Sequence, residues 1–289
     1  MRAKLSAYYQ LTKPGIIKGN AVHVLAGGLL ASVMGVDWRA LVGVLIGTSF
    51  IIASACVVNN YIDRDIDAKM KRTRKRPSVT GVVSPRAAGS YASVLALIGL
   101  YVLFAFTGPL VVVIGAIAYF FYVVVYGYAK RHTVHSTLIG AIPGALPAMA
   151  GYVAVDGILS VSALLVFLLV FLWQMPHFYA ISVFRKHEYK AAGVPVRAVV
   201  KPIVVVKRYV LAYMIAYLGC IVLLIAFDVI GSPSAVLLLA GAGYWLATYA
   251  RMRSADDERW ARSIFGASLV LTLVLLGASV LNVFVPPVM

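Results

Sequence analysis

Nine apolar stretches, each about as long as a bilayer is thick, constrain this 289-residue chain more than any other feature. A helix needs roughly 20 apolar residues to cross the hydrocarbon core, and charged or turn residues bound each stretch. Gly108-Pro109 and Gly231-Ser232-Pro233 are typical of tight turns between antiparallel helices. The predicted spans are 16–36, 39–61, 88–107, 109–127, 138–155, 160–184, 207–229, 233–250 and 263–285. With 62% hydrophobic and 12% charged residues, the sequence predicts an all-α multi-pass membrane protein and excludes a soluble domain.

The distribution of Lys and Arg predicts how the spans are oriented. With a cytoplasmic N-terminus, every one of the 26 basic residues except Arg39 falls on the cytoplasmic side, and the C-terminus lies outside. A net charge of +16 would suggest nucleic-acid binding in a soluble protein; here membrane topology and an anionic substrate explain it, so we expect no nucleic-acid partner. We expect one domain over 1–289, in the cell (inner) membrane, with its active site facing the cytoplasm.

The second span ends in a dense group of polar residues, 59–67, followed by the basic run 69–76. If the helix continues, Asn59, Asp63 and Asp67 recur every four residues, share one face and lie about 6 Å apart along the axis. Carboxylate and amide oxygens are hard ligands suited to Mg²⁺, which takes few carboxylates together with substrate phosphates. In a simpler interpretation, the carboxylates are solvated or paired with the adjacent Lys and Arg residues. The position at the mouth of a membrane helix favours function.

The sixth span ends in a second group of polar residues, 173–190. His177 and Glu188 are eleven residues apart, about three turns, and share a face unless Pro176 bends the helix. Glu188 is then either a surface residue or a second ligand or acid–base group opposite the aspartates.

These residue types indicate chemistry on a diphosphate attached to a lipid-like group. A metal and basic side chains would stabilise negative charge growing on a leaving diphosphate. A dry aromatic cavity would shield a carbocation and stabilise it by cation–π contacts. Core packing explains most of the candidate aromatic residues, which are Tyr119, Phe120, Phe121, Tyr122, Tyr126, Tyr128, Phe178 and Tyr179.

The motif Asn59-x-x-x-Asp63-x-x-x-Asp67 resembles the first aspartate-rich motif of the UbiA superfamily of intramembrane prenyltransferases. The fuller string 60–67, with Lys69-Met70, Arg72-Thr73 and Arg76-Pro77, is similar to the haem O synthase (protohaem IX farnesyltransferase) branch of that superfamily. Further stretches that resemble this branch are 11–17, 130–133, 137–140, 143–145, 173–178, 184–186, 189–190 and 193–195. The resemblance covers roughly residues 8 to 200; the last third matches only in its spans.

The resemblance implies a bundle of nine transmembrane helices around a central cavity that opens to the cytoplasm. Farnesyl diphosphate would bind through Mg²⁺ held by the catalytic residues Asn59, Asp63, Asp67 and Glu188. Ionisation would give an allylic cation, the vinyl group of haem b would attack it, and water would complete the product, haem O. The implied diphosphate-binding residues are Lys13, Arg72, Arg76, Lys130, Arg131, Arg185 and Lys186. The residues expected at the haem site or cavity are Asn20, His23, His177 and Tyr189. A haem A synthase or a terminal-oxidase assembly pathway is the partner that this reading suggests.

Three positions depart from the superfamily's pattern. Asn60 stands where Asp is usual, a change that also occurs in the haem branch, and His187-Glu188 stands where Asp pairs are common. In 195–202 the family tends to have Leu-Pro and a closing Gly, so the geometry of this loop is left open.

The haem site is the least defined part, because no motif selects among the five histidines. They are His23, His132, His135, His177 and His187. A lone membrane His is more often a structural hydrogen-bonding residue than an iron ligand; His177 is our first choice for the acceptor site and His23, one turn from Asn20, the second.

Three other functions stay open at this stage. A prenyltransferase of the same fold that acts on an aromatic acceptor in quinone synthesis would use the same diphosphate motifs. A membrane transporter would place its acids near the middle of the bilayer on broken helices, rather than at one mouth beside a basic loop. A non-catalytic protein that only holds haem would have no need of the spaced aspartates.

Overall fold

The computed structural model describes residues 2–33 and 35–287, and these ranges contain helices and no strands, which confirms the all-α prediction. The α-helices are α1 Arg2–Leu11, α2 Pro14–Leu30, α3 Trp38–Ile62, α4 Arg64–Lys69, α5 Pro77–Thr80, α6 Pro85–Thr107, α7 Pro109–Phe120, α8 Tyr126–His132, α9 Ser136–Asp156, α10 Val161–Phe184, α11 Lys186–Ala191, α12 Arg197–Val200, α13 Ile203–Ala226, α14 Ser232–Arg251 and α15 Asp257–Phe284. A short π-helix, Phe121–Val125, joins α7 to α8 into one continuous segment.

Seven helical segments are long and apolar enough to cross a membrane, so the protein is a multi-pass membrane protein. They are Trp38–Ile62, Pro85–Thr107, Pro109–His132, Ser136–Asp156, Val161–Phe184, Ile203–Ala226 and Asp257–Phe284. The first and eighth predicted spans are also helical, as α2 and α14, but their crossing of the bilayer stays a prediction. Helix α2 has 17 residues and ends at Leu30, short of the predicted end at 36, and residue 34 of that span lies outside the described residues.

Helices α2, α9, α10 and α15 pack in sequence, and α15 returns to α2, so these four helices form a closed ring. Helix α3 lies against this ring through α2 and α9, and α7 lies against it through α9. Helix α6 covers α3, and α13 and α14 extend the bundle beside α10 and α15. The large buried cluster of the protein runs through this arrangement, from Val24 in α2 to Ala278 in α15. The ring therefore brings residues from both halves of the chain to a common interior.

The crossing of α2 over α9 is close enough that only glycine fits. A Cβ on Gly27 would lie 2.0 Å from the carbonyl oxygen of Ala148, and a Cβ on Gly151 would lie 2.1 Å from that of Val24. Both obstacles are main-chain atoms, which cannot move aside as a flexible side chain can. Small residues at helix crossings allow backbones to approach closely inside a membrane, and this contact sets the spacing of the ring.

We expect Gly151→Ala to destabilise the protein by about 1–3 kcal/mol, because the added methyl group must separate two helix backbones. The measurement is the midpoint of thermal unfolding of the purified protein in detergent. Gly219→Ala in α13 is the matched control, since a Cβ there meets nothing within 4 Å. A Gly151→Ala midpoint equal to that of Gly219→Ala would contradict the close crossing.

Candidate active site

The polar residues at the end of α3 keep their spacing of four although the helix is interrupted. Asp63 has φ −91° and ψ 9°, between the end of α3 and the start of α4. Its N–H still donates to the carbonyl oxygen of Asn59 (2.9 Å), and the N–H of Asp67 donates to that of Asp63 (2.8 Å). Asn59, Asp63 and Asp67 are 2%, 1% and 3% exposed, so they are not solvated side chains of a frayed helix end.

Each buried aspartate has a basic partner. Lys130, from the end of α8, places Nζ 2.6 Å from Asp63 Oδ2. Arg76, from the turn after α4, places Nη1 2.6 Å from Asp67 Oδ2. Both buried aspartates are therefore paired with basic residues. One partner, Arg76, is close in sequence, and the other, Lys130, comes from a distant segment of the chain.

Lys13 is the third basic residue of this group, and its Nζ donates to Asn59 Oδ1 at 2.6 Å. It stands between α1 and α2 with a left-handed backbone (φ 52°), a conformation that is uncommon for a residue with a Cβ. Burial, together with the positive charges of Arg76 and Lys130 and against the Cys56 and Asp63 side chains, lowers the pKa of Lys13 to about 8. Strain and a perturbed pKa at one residue are typical of functional sites.

The second acidic motif follows the end of α10. Arg185 interrupts the helix, and its Nη1 donates to Glu188 Oε1 at 2.8 Å. The loop 195–202, whose geometry the sequence left open, contains the short helix α12. Buried apolar residues join the two motifs; they are Ile66 and Met70 after the first motif and Ala192, Val194 and Val196 after the second.

Tyr189 packs against this apolar cluster, between the basic residues of the two motifs. Burial and then Tyr126 raise the pKa of its phenol, while the positive charges of Arg72, Lys130 and Arg185 act in the opposite direction. The first and second motifs therefore face each other at one end of the bundle, with Tyr189 between them.

The oxygen atoms of this site fit a metal that arrives with phosphate. Asp63 Oδ1 and Glu188 Oε2 are buried and have no hydrogen-bond partner among the described residues. Residues 2–33 and 35–287 contain no group of three His, Cys, Asp or Glu side chains that could hold a metal ion by themselves. Mg²⁺ commonly takes only one or two carboxylates and completes its shell with water and substrate phosphate, so a partial protein site is what this ion requires.

The remaining predicted diphosphate-binding residues lie at the rim. Arg131 forms an ion pair with Asp65 (2.6 Å), whose side chain is 62% exposed, and also donates to the carbonyl oxygen of Ile62. The hydrogen bond from Arg131 holds the pKa of Asp65 at about 2. Arg72 and Lys186 are exposed. The structure thus groups Lys13, Arg76, Lys130 and Arg185 with the acids and turns Arg131 toward a different carboxylate.

Two of the five histidines lie inside the bundle. His132, His135 and His187 are exposed, whereas His23 of α2 is buried and His177 of α10 is half-buried. The ring of Trp173 lies 4.9 Å from each of these two imidazoles, between centroids. Asn20, predicted near the cavity, bonds to the carbonyl oxygen of Ile16 in its own helix (2.9 Å).

Most of the aromatic candidates serve packing or face outward, as expected. Phe120, Tyr128 and Phe178 are exposed, and Tyr179 is buried against α13. Tyr122 and Tyr126 instead stack on each other, with ring centroids 5.7 Å apart. They lie in and just after the π-helix, which contacts α3, and the second of them is one turn before Lys130. These two rings are therefore adjacent to the acid cluster.

Sequence reasoning missed Ser268 in α15. Its hydroxyl lies 2.8 Å from His177 Nδ1, and its carbonyl oxygen accepts a hydrogen bond from Trp173 Nε1 at 2.8 Å. The only signal in the sequence is a small polar residue in an apolar span, which is too common to single out a site.

Lys130→Met should destabilise the ligand-free protein by about 3–5 kcal/mol, because it leaves the buried Asp63 carboxylate without a counter-charge. Arg131→Met should cost no more than about 1 kcal/mol, because its partner Asp65 is exposed. Thermal unfolding of both variants in detergent makes the comparison. An equal loss of stability in the two variants would show that burial of the Asp63–Lys130 pair does not contribute to stability.

The chain is similar to known proteins of one family. Residues 20–280 match the model of the UbiA prenyltransferase family. Proteins named protoheme IX farnesyltransferase from Shigella flexneri and Escherichia coli (strain K12) are 43% identical to the chain over 265 residues, which is 91% of this chain and 90% of each relative.

Solved structures share the fold at low sequence identity. One is described as digeranylgeranylglyceryl phosphate synthase in membranes, with a TM-score of 0.80 and 17% identity over 97% of this chain and 99% of that one. Another is a UbiA homologue from Archaeoglobus fulgidus bound to GPP and Mg²⁺, with a TM-score of 0.69 and 16% identity over 96% of this chain and 100% of that one.

Proposed function

The chain belongs to the UbiA prenyltransferase family, and we propose that it transfers a farnesyl group from farnesyl diphosphate to a vinyl group of haem b, with addition of water, to give haem O and diphosphate. The likeness to farnesyltransferases of protohaem IX extends over nine-tenths of both chains. The structural observation that carries the proposal is the buried group of Asn59, Asp63 and Asp67, each in contact with a basic side chain at one end of the bundle.

The protein lies in the cell (inner) membrane, where α2 and α14 complete nine spans around a central cavity. The N-terminus and the active site face the cytoplasm, and the C-terminus lies outside. The position of Lys13, Arg76, Lys130 and Arg185 at one end of the bundle supports this orientation, because basic residues are retained on the cytoplasmic side.

Asn59, Asp63, Asp67 and Glu188 would hold Mg²⁺ together with the diphosphate, and the ion would supply positive charge against the leaving group. The buried oxygens without partners, on Asp63 and Glu188, support this assignment. Lys13, Arg76, Lys130 and Arg185 move from the carboxylates and amide to the diphosphate oxygens, while Arg72, Arg131 and Lys186 attract the substrate from the rim. The exchange replaces one set of charge-assisted hydrogen bonds by another, so little electrostatic energy is lost when the site loads.

The chemistry then requires an apolar, water-poor space beside the diphosphate. The bond from C1 of the farnesyl group to the diphosphate oxygen breaks, and C1 bonds to the vinyl carbon of haem b. Water adds its oxygen to the adjoining carbon and releases a proton. The stacked rings of Tyr122 and Tyr126 stabilise the allylic cation by cation–π contacts.

Haem b occupies the space lined by Asn20, His23, His177 and Tyr189. His177 precedes Arg185 by eight residues of α10, so it lies about 12 Å deeper in the bilayer than the second acidic motif. The vinyl groups lie at the rim of the macrocycle, so a haem centred at this depth extends its rim toward the diphosphate. The product, haem O, is the substrate that a haem A synthase or a terminal-oxidase assembly pathway would consume.

Incubation of purified protein with haem b, farnesyl diphosphate and Mg²⁺ tests the function, with mass analysis of the extracted haem. We expect a haem that has gained one farnesyl group and one water, and a loss of at least about 100-fold in rate for Asp63→Asn, which removes a metal ligand. Glu258→Gln is the control, because that carboxylate pairs with Arg262 on an exposed face of α15.

Two other results would redirect the assignment. Prenylation of a 4-hydroxybenzoate-type acceptor without any haem product would keep the metal site and reject the acceptor. If neither acceptor reacts and Asp63→Asn leaves Mg²⁺–pyrophosphate binding unchanged, the prenyltransferase proposal is wrong and ion transport becomes the next hypothesis.

Lys13 should make diphosphate binding dependent on pH. Its pKa of about 8 in the ligand-free protein rises when an anion binds, so affinity should be constant below pH 8 and fall above it, by at most about tenfold per pH unit. Calorimetry with Mg²⁺–pyrophosphate between about pH 7 and about pH 9.5 measures this dependence. Lys13→Arg should remove this component, whereas Lys207→Arg, whose residue pairs with Asp257, should retain it. The same decline in Lys13→Arg would rule out Lys13 as its source.

A further inference from the structure

Ser268, in the last helix α15, is a hydrogen-bond partner of the imidazole of His177 in α10. Ser268 is fully buried, and its Oγ has two neighbours within hydrogen-bond distance. The carbonyl oxygen of Phe265 lies at 2.6 Å, and Nδ1 of His177 lies at 2.8 Å.

The two contacts together determine which nitrogen of His177 carries the proton. A serine hydroxyl has one proton, and a carbonyl oxygen can only accept. If that proton pointed at His177, a lone pair of Oγ would face the Phe265 oxygen at 2.6 Å without a hydrogen between them. The hydroxyl therefore donates to Phe265, and Nδ1–H of His177 donates to Oγ. The neutral imidazole then keeps an unprotonated Nε2 with a free lone pair.

The plane of the imidazole is held as firmly as its tautomer. Trp173 stacks on the His177 ring at 4.9 Å, with 27° between the planes, and Phe265 lies against it at 4.8 Å. The indole N–H of Trp173 donates to the carbonyl oxygen of the same Ser268. One residue of α15 thus fixes two neighbouring rings of α10, and neither ring can turn without breaking a buried hydrogen bond.

We propose that Ser268 is a positioning residue for the acceptor site, which holds His177 so that Nε2 binds the iron of a haem as an axial ligand. The inference rests on the proposed function, since it assigns the haem acceptor to the neighbourhood of these rings. A hydrogen bond to the distal nitrogen of a ligating imidazole sets its orientation and raises its basicity, which is how proteins tune such ligands.

The alternative ligand is His23, whose ring lies on Trp173 at 4.9 Å but makes no side-chain hydrogen bond within the described part of the chain. An imidazole with no such partner is not restricted to one tautomer. His177 is therefore the better prepared ligand, and His23 is left to contact the haem by packing.

Titration of ferric haem b into the purified full-length protein in detergent, without farnesyl diphosphate or Mg²⁺, tests the proposal. The readouts are the Soret and visible bands and the electron paramagnetic resonance spectrum, which report iron ligation independently of catalysis. The wild type should show an imidazole-ligated iron, and His177→Ala should lose that signature. Ser268→Ala should weaken haem binding roughly 10- to 100-fold and shift the spectrum, while Ser268→Thr, which retains the hydroxyl, should restore both.

Ser279→Ala is the matched control for a purely structural effect. Ser279 is also fully buried in α15, but its hydroxyl bonds only to the carbonyl oxygen of Leu275 in the same helix. Its loss should affect stability as much as Ser268→Ala does and leave the haem spectrum unchanged. Pyrophosphate binding with Mg²⁺ should be normal in all the variants, which shows that they are folded.

Two outcomes would overturn the proposal without touching the function. The imidazole signature could vanish in His23→Ala and persist in His177→Ala, or Ser268→Ala could match Ser279→Ala in every spectrum while haem O is still formed. If the wild type binds no haem and forms no haem product, the proposed function itself fails and the assignment of Ser268 falls with it.

Discussion

The buried ion pair between Asp63 and Lys130 is the contact on which the arrangement of the site depends. A buried carboxylate without a positively charged partner destabilises a protein by several kcal/mol, so the buried Asp63 requires a cation beside it. The cation comes from α8, 67 residues further along the chain, and the contact is 2.6 Å long. It therefore fixes the end of α3 against the end of α8. The stacked pair Tyr122 and Tyr126 stands beside the acids for the same reason, since Tyr126 precedes Lys130 by one helical turn.

The bundle separates two environments along its axis. The charged side chains of the site lie at one end of the bundle, where Lys13, Arg76 and Arg185 complete the set of basic partners. The interior, bordered by α2, α9, α10 and α15, holds the rings of His23, Trp173 and His177 and is kept narrow by the glycine crossing at Gly27. A substrate with an anionic head and an apolar tail matches such a division, because each part is stabilised where the protein offers complementary chemistry.

Interruptions of the helices occur where the site needs a change of direction. Asp63 and Arg185 each end a long helix and begin a short one, and the π-helix rotates the chain just before α8. π-Helical turns are rare in proteins, but many of those that occur lie at functional sites. Such a turn changes the direction in which the following side chains point around the helix axis. In this protein the residues that follow are Tyr126 and Lys130.

The sequence by itself determined the helical class, because runs of about 20 apolar residues can satisfy their backbone only as helices in a membrane. It also determined the shared face of Asn59, Asp63 and Asp67, since a spacing of four is a local property of the helix. Only the tertiary structure decided that Lys130 pairs with Asp63 while Arg131 turns to Asp65. Adjacent basic residues look alike in sequence. Ser268 shows the same limit: its meaning lies in a contact with a helix 91 residues away, and long-range packing, which no local pattern encodes, chose that partner.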